Sequence, residues 1–427
     1  MKNKVKTEIK NILKQLNLTD SNININISTP KNKKFGDLST NISFQLSKIL
    51  KKPPMEIAQN ICDKLLNVDL FSDVTAINPG FINFNLNPSL LNENLYTIIN
   101  KKNDYGKNKT GENKKVLVEF VSANPTGPLT VGHGRGAILG DIISNIYSWN
   151  GYDVTREYYY NNAGRQMRIL GESVKSRYLE LINKKTTFPE DGYHGEYIKD
   201  IARKILNDNE LLSNDSKNEI FREFAEKFVF KEINKTLKNL GIHFNSFFNE
   251  NLLYENKDIY TVIDKLREKK LIYEKDNAVW FNGTKVGRDS DRVLIKSTGE
   301  PTYRLPDMAY HIKKIERGYD LCIDIFGADH MDAYPDVLEV VSQLGYDHNK
   351  IKVLIHQFIS IIKDGKPVKM STRKANYITL DELIEETSKD VVRYFFIMRN
   401  INSHLNFDLD IAKEKSEKNP VFYIQYA

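Results

Sequence analysis

The chain is poor in cysteine: Cys62 and Cys322 are the two in 427 residues, far apart and each in apolar surroundings. That excludes a disulfide framework and a cysteine-based zinc site, and points to inert thiols in a reducing compartment. No apolar run reaches the roughly 18 residues of a membrane span, and the opening MKNKVKTEIK lacks a signal-peptide core. No third His or Cys joins Asp329 and His330 at ligand spacing, so no resident metal is expected. A strong excess of one charge is missing too: 62 Lys and Arg face 56 Asp and Glu, a net +6 with pI near 8.8. Such mild basicity suits a polyanionic partner without demanding one. A soluble cytoplasmic protein off the membrane is the expectation.

What is present is 40% hydrophobic and 28% charged, enough for large cores in several domains. Residues 1–100 read as a small α+β domain. Val5, Ile9, Ile12 and Leu16 mark an amphipathic helix, NININIS (22–28) alternates as a strand, and Ser39–Lys51 and Met55–Leu66 read as helices. FINFNL (81–86) alternates as a strand. Residues 101–115 are polar and basic: a linker, either a solvated charge run or an RNA contact. Residues 116–400 alternate strand and helix, which predicts a doubly wound parallel sheet, interrupted by an insertion at about 186–300. Asp153–Tyr159, LCIDIF (321–326) and IKVLIHQF (351–358) are its expected strands, and Leu380–Arg399 a helix. PVFYIQYA (420–427) has the look of a helix cut in mid-turn.

Chemistry concentrates in VLVEFVSANPTGPLTVGHGRGAILGD (116–141). An apolar strand runs into a loop rich in Gly and Pro, then into a helix whose Ile138, Ile142 and Ile146 recur every four residues. Strand, glycine-rich loop and helix N-terminus make a phosphate site. His133 stands at that helix start, able to donate to phosphate, and Gly132 leaves room for close approach. Lys369-Met370-Ser371-Thr372-Arg373 follows the apolar run IKVLIHQFISI and a turn at Asp364-Gly365. Both motifs follow strands, where open sheets bind ligands, so the two are expected to meet. Glu119 is an acid inside an apolar strand: either paired, or at an exposed sheet edge. Gly327-Ala328-Asp329-His330 closes another strand, as a ligand-holding turn or a plain structural one.

Thr130-Val-Gly-His-Gly134 resembles the His-hydrophobic-Gly-His signature of class I aminoacyl-tRNA synthetases, and Lys369–Arg373 resembles their Lys-Met-Ser-Lys-Ser loop, about 240 residues downstream. The flanks EFVSANPTGPL and RGAILGD resemble the arginyl-tRNA synthetase family in particular. So do FGDLSTNISFQLSK and NPGFINF, which are similar to the N-terminal domain peculiar to that family. The resemblance implies a Rossmann-like catalytic domain behind a tRNA-contacting N-terminal domain. It implies ATP-dependent activation of L-arginine to arginyl-adenylate and transfer to tRNA(Arg), with Mg²⁺ carried by ATP, by an enzyme that is a monomer when complete. Thr130, Gly132, His133, Gly327, Asp329, His330, Lys369, Met370 and Ser371 would then hold ATP, with His133 and Lys369 catalytic. Thr130 replaces the signature's first His and Thr372 its second Lys, for which Arg373 or Lys374 stands in. Glu119, Ser122, Asn124, Tyr303 and Asp307 would hold arginine, whose planar cation calls for carboxylates. Pro306 interrupts the segment carrying the last two. The family continues from a similar Gln-Tyr-Ala into a helical anticodon-binding domain, so residues 401–427 are expected to be the start of that region, truncated. Two rivals stand beside this reading. A class I synthetase for a non-basic amino acid would not need Glu119 and Asp307 together. A non-catalytic RNA-binding relative would not need Gly132, His133 and Lys369 intact.

Overall fold

The computed structural model describes residues 1–16, 18, 23–208, 218–368 and 378–426. It divides into two compact units, Met1–Lys107 and Asn108–Ala427.

In the first unit, strands β1 (Ile27–Ser28), β2 (Leu38–Thr40), β3 (Phe71–Ile77) and β4 (Phe81–Leu86) form an antiparallel sheet in the order β1-β2-β4-β3. Helices Lys2–Gln15, Ile42–Leu50, Pro54–Leu65 and Pro88–Lys101 accompany it. Val5, Ile9 and Ile12 of the first helix pack with Ile57, Ile61, Ile82 and Phe84 in one core. Among the described residues of the alternating NININIS run, strand forms at Ile27–Ser28, where β2 offers Thr40 and Ser39 as partners. The helix expected from Ser39 starts at Ile42, since Leu38–Thr40 pairs with β4 instead.

The second unit continues with β5 (Lys115–Glu119), β6 (Asp153–Tyr160), β7 (Ser246–Asn249), β8 (Ile272–Lys275), β9 (Ala278–Phe281), β10 (Arg292–Ile295), β11 (Leu321–Gly327), β12 (Ile351–His356), β13 (Ile359–Lys363), β14 (Lys366–Pro367) and β15 (Leu405–Asp408). The central sheet runs β12-β11-β5-β6-β7 with every pair parallel. A parallel sheet is covered on both faces, which is why β5 is apolar at three successive positions. Val116, Val118 and Phe120 join the core that contains Ala137 and Ile138 of the helix Val131–Trp149. Leu117 joins a separate core with Leu305, Met308 and Ile312 of the helix Arg304–Glu316. Alternation along β5 thus puts Glu119 on the face of the second helix.

Four expectations need correction. Part of the stretch read as an insertion, 186–300, belongs to the sheet: β7 is its edge strand, after the helices Glu196–Asn207 and Asn218–Asn239. The strand-like run 351–361 is two strands in different sheets, because the chain turns at Gln357-Phe358, where buried Arg135 draws in the Gln357, Asn400 and Ser403 carbonyls at 2.8–2.9 Å. Residues 401–427 do not open directly into helix: β15 pairs with β13, and a helix follows at Pro420–Tyr426. Leu380–Arg399 is likewise two helices, Leu380–Glu386 and Lys389–Ile397, the second capped by Ser388, whose hydroxyl accepts from Val391 N at 3.3 Å. Among the described residues no helix is long and apolar enough to cross a membrane.

Candidate active site

A cleft of about 990 Å³ opens at the carboxyl ends of β5, β11 and β12. Glu119, Ser122 and Asn124 line it from the end of β5, and Thr130, Gly132 and His133 from the start of the helix that follows. Gly327, Asp329 and His330 line it after β11, and Tyr303 and Asp307 at the start of the helix Arg304–Glu316. Lys369, Met370 and Ser371, with Thr372, Arg373 and Lys374, lie outside the described residues. The residues just beyond them do come to this site: Thr379 bridges to Thr130, and Leu380 N donates to Leu129 O at 2.8 Å.

One wall is built from backbone and small residues. Gly132, Gly136 and Gly140 recur every four residues along one helix. A Cβ on Gly136 would stand 3.0 Å from His356 Nε2, and one on Gly140 would overlap the Phe120 ring. Glycine here buys close approach of the helix to the sheet, which brings its N-terminus into the cleft. Thr130 N donates to His133 Nδ1 at 3.1 Å. A backbone N–H is always a donor, so Nδ1 is the acceptor and the ring proton sits on Nε2. Burial lowers the His133 pKa, further helped by His356 and opposed by Asp329, so a neutral ring with one N–H is the resting form. His330 stacks on Phe326 with centroids 4.8 Å apart, a flat surface beside the same cleft.

The opposite wall is built from buried charge. The strand registers align Asp324 with Glu119 and Glu119 with Glu157, so three acids form a row across β11, β5 and β6. All are buried. The helix Arg304–Glu316 lies on this face and supplies their partners. Lys314 Nζ reaches Glu119 at 2.5 Å and Asp324 at 2.6 Å, His311 Nε2 lies 3.0 Å from Asp324, and Arg317 holds Glu157 with two bonds of 2.6 Å. Burial works against the Lys314 charge, but Asp324 and Glu119 outweigh it and raise its pKa. Burial likewise opposes the Asp324 charge, and Lys314 and His311 overcome it.

Two further acids face the cleft with no ion pair among the described residues. Burial pushes Asp307 up to about 7; Glu119 and Glu250 add to the rise, while His311 and Lys314 restrain it. Burial also raises Glu250, which accepts from Tyr159 Oη and Asn161 Nδ2, each at 2.8 Å. Immediately after β5, Val121 and Ser122 adopt left-handed φ of 68° and 43°. For a β-branched valine that is a strained geometry. It places Ser122 Oγ to donate to Glu119 at 2.9 Å and to accept from Tyr159 N at 3.1 Å. Pro306 falls in the first turn of its helix, where its missing N–H has no intrahelical partner to lose, so Asp307 still faces the cleft.

Sequence reasoning missed Glu250, Tyr159, His311 and Lys314. Glu250 carried one signal, its place directly after the aromatic strand SFFN. Lys314 carried none, because it sits in an ordinary charged helical segment, HIKKIERG. Among the described residues no group of three or more His, Cys, Asp or Glu is arranged to hold a metal.

A class I tRNA synthetase (R) catalytic-domain model matches residues 94–404, and an arginyl tRNA synthetase N-terminal-domain model matches residues 3–86. The chain belongs to the arginyl-tRNA synthetase family. An arginine–tRNA ligase of Desulfotalea psychrophila is 52% identical over 403 residues, 94% of this chain and 73% of that one. One of Pelodictyon phaeoclathratiforme is 50% identical over 408 residues, with 94% and 74% covered. The fold is also that of the Thermus thermophilus arginyl-tRNA synthetase structure, at TM-score 0.71 and 18% identity, covering 99% of this chain and 80% of that one. As in other members of class I, the catalytic unit of this arginyl-tRNA synthetase relative is mixed α/β around a parallel sheet.

Proposed function

We propose that this chain is an arginine–tRNA ligase, activating L-arginine with ATP and passing it to the 3′ end of tRNA(Arg). One observation carries the reading: a single cleft holds a glycine-built helix N-terminus on one wall and the acids Glu119, Asp307 and Glu250 on the other. The first suits phosphates and the second a guanidinium or ammonium.

In the first step an arginine carboxylate oxygen attacks the α-phosphorus of ATP, and the bond to the bridging oxygen of pyrophosphate breaks. A ribose hydroxyl of the terminal adenosine then attacks the arginyl carbonyl carbon, and AMP leaves. Neither step needs a protein nucleophile; both need positioning and charge stabilisation. His133 donates its Nε2–H to phosphate without adding a charge, and the helix N-terminus beside Gly132 supplies backbone donors. Thr130 holds the His133 tautomer. Gly327, Asp329 and His330 bind the nucleoside. Lys369, with Met370 and Ser371, neutralises the departing pyrophosphate, and Mg²⁺ enters as the ATP complex. Asp307, Glu250 and Glu119 surround the cationic groups of arginine under Tyr303, with Ser122 and Asn124 fixing the rest. Each carboxylate has four lone-pair sites. Glu119 spends one on Lys314 and one on Ser122, which leaves it able to accept from substrate.

The N-terminal unit and the basic residues 101–115 serve tRNA contact in this reading, and the enzyme works as a cytoplasmic monomer. ATP–pyrophosphate exchange driven by arginine, measured with and without tRNA(Arg), tests it. Exchange specific to arginine is expected, stronger with tRNA. Exchange driven equally by a neutral amino acid would overturn the substrate.

A further inference from the structure

The row of acids Asp324, Glu119 and Glu157 is neutralised from one helix, but not uniformly. Arg317 serves Glu157 alone, with Ser246 Oγ and Tyr310 Oη each donating at 2.6 Å. Lys314 serves two acids at once, and one of these lines the cleft. Its ammonium is fully buried and sits 4.2 Å from the Tyr310 ring centroid. Asp324 has a second partner in His311; the Glu119 oxygen facing Lys314 has no other partner among the described hydrogen bonds. Among the described residues the groups facing Lys314 from the packed elements are Glu119 on β5, Cys322 and Asp324 on β11, and Asp307, Tyr310 and His311 on its own helix.

We propose that Lys314 is a positioning residue for the amino-acid substrate: it fixes the Glu119 carboxylate at the cleft floor and separates it from Asp324. Without that cation two in-register acids share one buried slot, and like charges at such range disfavour each other strongly. Glu119 then turns away or loses its charge, and the site loses one acceptor for the cationic substrate. ATP, bound against the glycine-built wall, does not depend on it. Lys314 touches no substrate; its effect on arginine passes through Glu119 and, more weakly through its charge, through Asp307, which titrations run well above pH 7 keep ionised in every variant.

This inference rests on the proposed contact of Glu119 with arginine, and a double-mutant cycle separates the two. Binding of L-arginine and of ATP to the full chain is measured by titration calorimetry for wild type, Glu119→Gln, Lys314→Met and the double variant, with circular dichroism to check folding. Glu119→Gln and Lys314→Met should each weaken arginine about tenfold, the scale of one hydrogen bond to a charged group, and leave ATP within about twofold. The double variant should bind arginine no worse than Glu119→Gln alone. An unchanged arginine affinity in Glu119→Gln would refute the contact itself. With that contact intact, a normal Lys314→Met, an equal loss for both ligands, or additive losses in the double variant would each overturn the role given to Lys314. Lys314→Met strands two buried acids and has the greatest chance of misfolding. The double variant removes one of them and leaves Asp324 with His311. If only the double folds, its comparison with Glu119→Gln decides the matter, and if neither folds, Lys314 is assigned to the fold alone.

Discussion

The two walls of the cleft are built by opposite means. The glycine-built wall uses a strand, a loop and a helix contiguous from Lys115 to Trp149, with glycines where other residues carry bulk and a neutral histidine at the tip. The acid-lined wall draws its carboxyl groups from β5, the loop after β7 and the helix Arg304–Glu316. The first wall works by shape, so local geometry suffices. The second works by charge in a dry setting, where every acid needs a partner or suffers a shifted pKa. Two of its acids, Asp307 and Glu250, make no ion pair among the described residues and carry raised pKa values. In the proposed reading, a cationic substrate supplies what they miss.

The largest expected effect tests that charge asymmetry. Asp307→Asn should weaken arginine about a hundredfold, the scale of an unpaired buried charge contact, and leave ATP almost unaffected. Equal loss of both ligands would erase the distinction between the walls. The same residue makes a pH prediction. Its carboxyl is raised to about 7, so below that pH it is mostly neutral in the free protein. Arginine affinity should therefore rise with pH, by up to about tenfold per unit below pH 7, and Asp307→Asn should flatten the profile. Stability moves the other way. A carboxyl whose folded pKa exceeds its unfolded one binds more protons when folded, so its contribution falls as pH rises from about 4 to about 7. Asp307→Asn should thus gain thermal stability relative to wild type as pH goes from 5 to 8, and a constant gap would show that Asp307 is not neutral in the free protein.

On the other wall, His133→Ala should slow adenylate formation about a hundredfold in single turnover, as loss of a preorganised donor does, with arginine affinity unchanged. A rate unaffected by that change would make His133 a cap for the loop. The smallest effect probes shape. Gly140→Ala places a methyl group into Phe120 and should cost about 1–3 kcal/mol of stability, read by denaturant unfolding. Gly136→Ala is tighter only against a movable His356 ring and should cost less while weakening ATP a few-fold.

Much of the glycine-built wall was legible in advance because its residues are neighbours in the chain. Thr130, Gly132 and His133 lie within four positions, and the strand and helix around them announce themselves by period. Glu119 was legible as an anomaly, an acid in an apolar strand. Its partner was not, since Lys314 lies 195 residues away among other charged residues. Boundaries failed where a local preference met a tertiary demand: Gln357-Phe358 breaks an apolar run because Arg135 needs carbonyls, and Ser388 restarts a helix that apolar spacing alone would have carried through.

Sequence alone determined the kinds of element, the parallel sheet and the glycine-rich turn from strand to helix, because these depend on the spacing of residues along a few dozen positions. Only the tertiary structure decided which acids stand alone. The register of β11 against β5 and of β5 against β6 lines up Asp324, Glu119 and Glu157, and one helix crossing that row gives them Lys314 and Arg317. Asp307 and Glu250 are left facing the cleft. Charge acts through distance in space, and strand register sets that distance without leaving a mark at either residue.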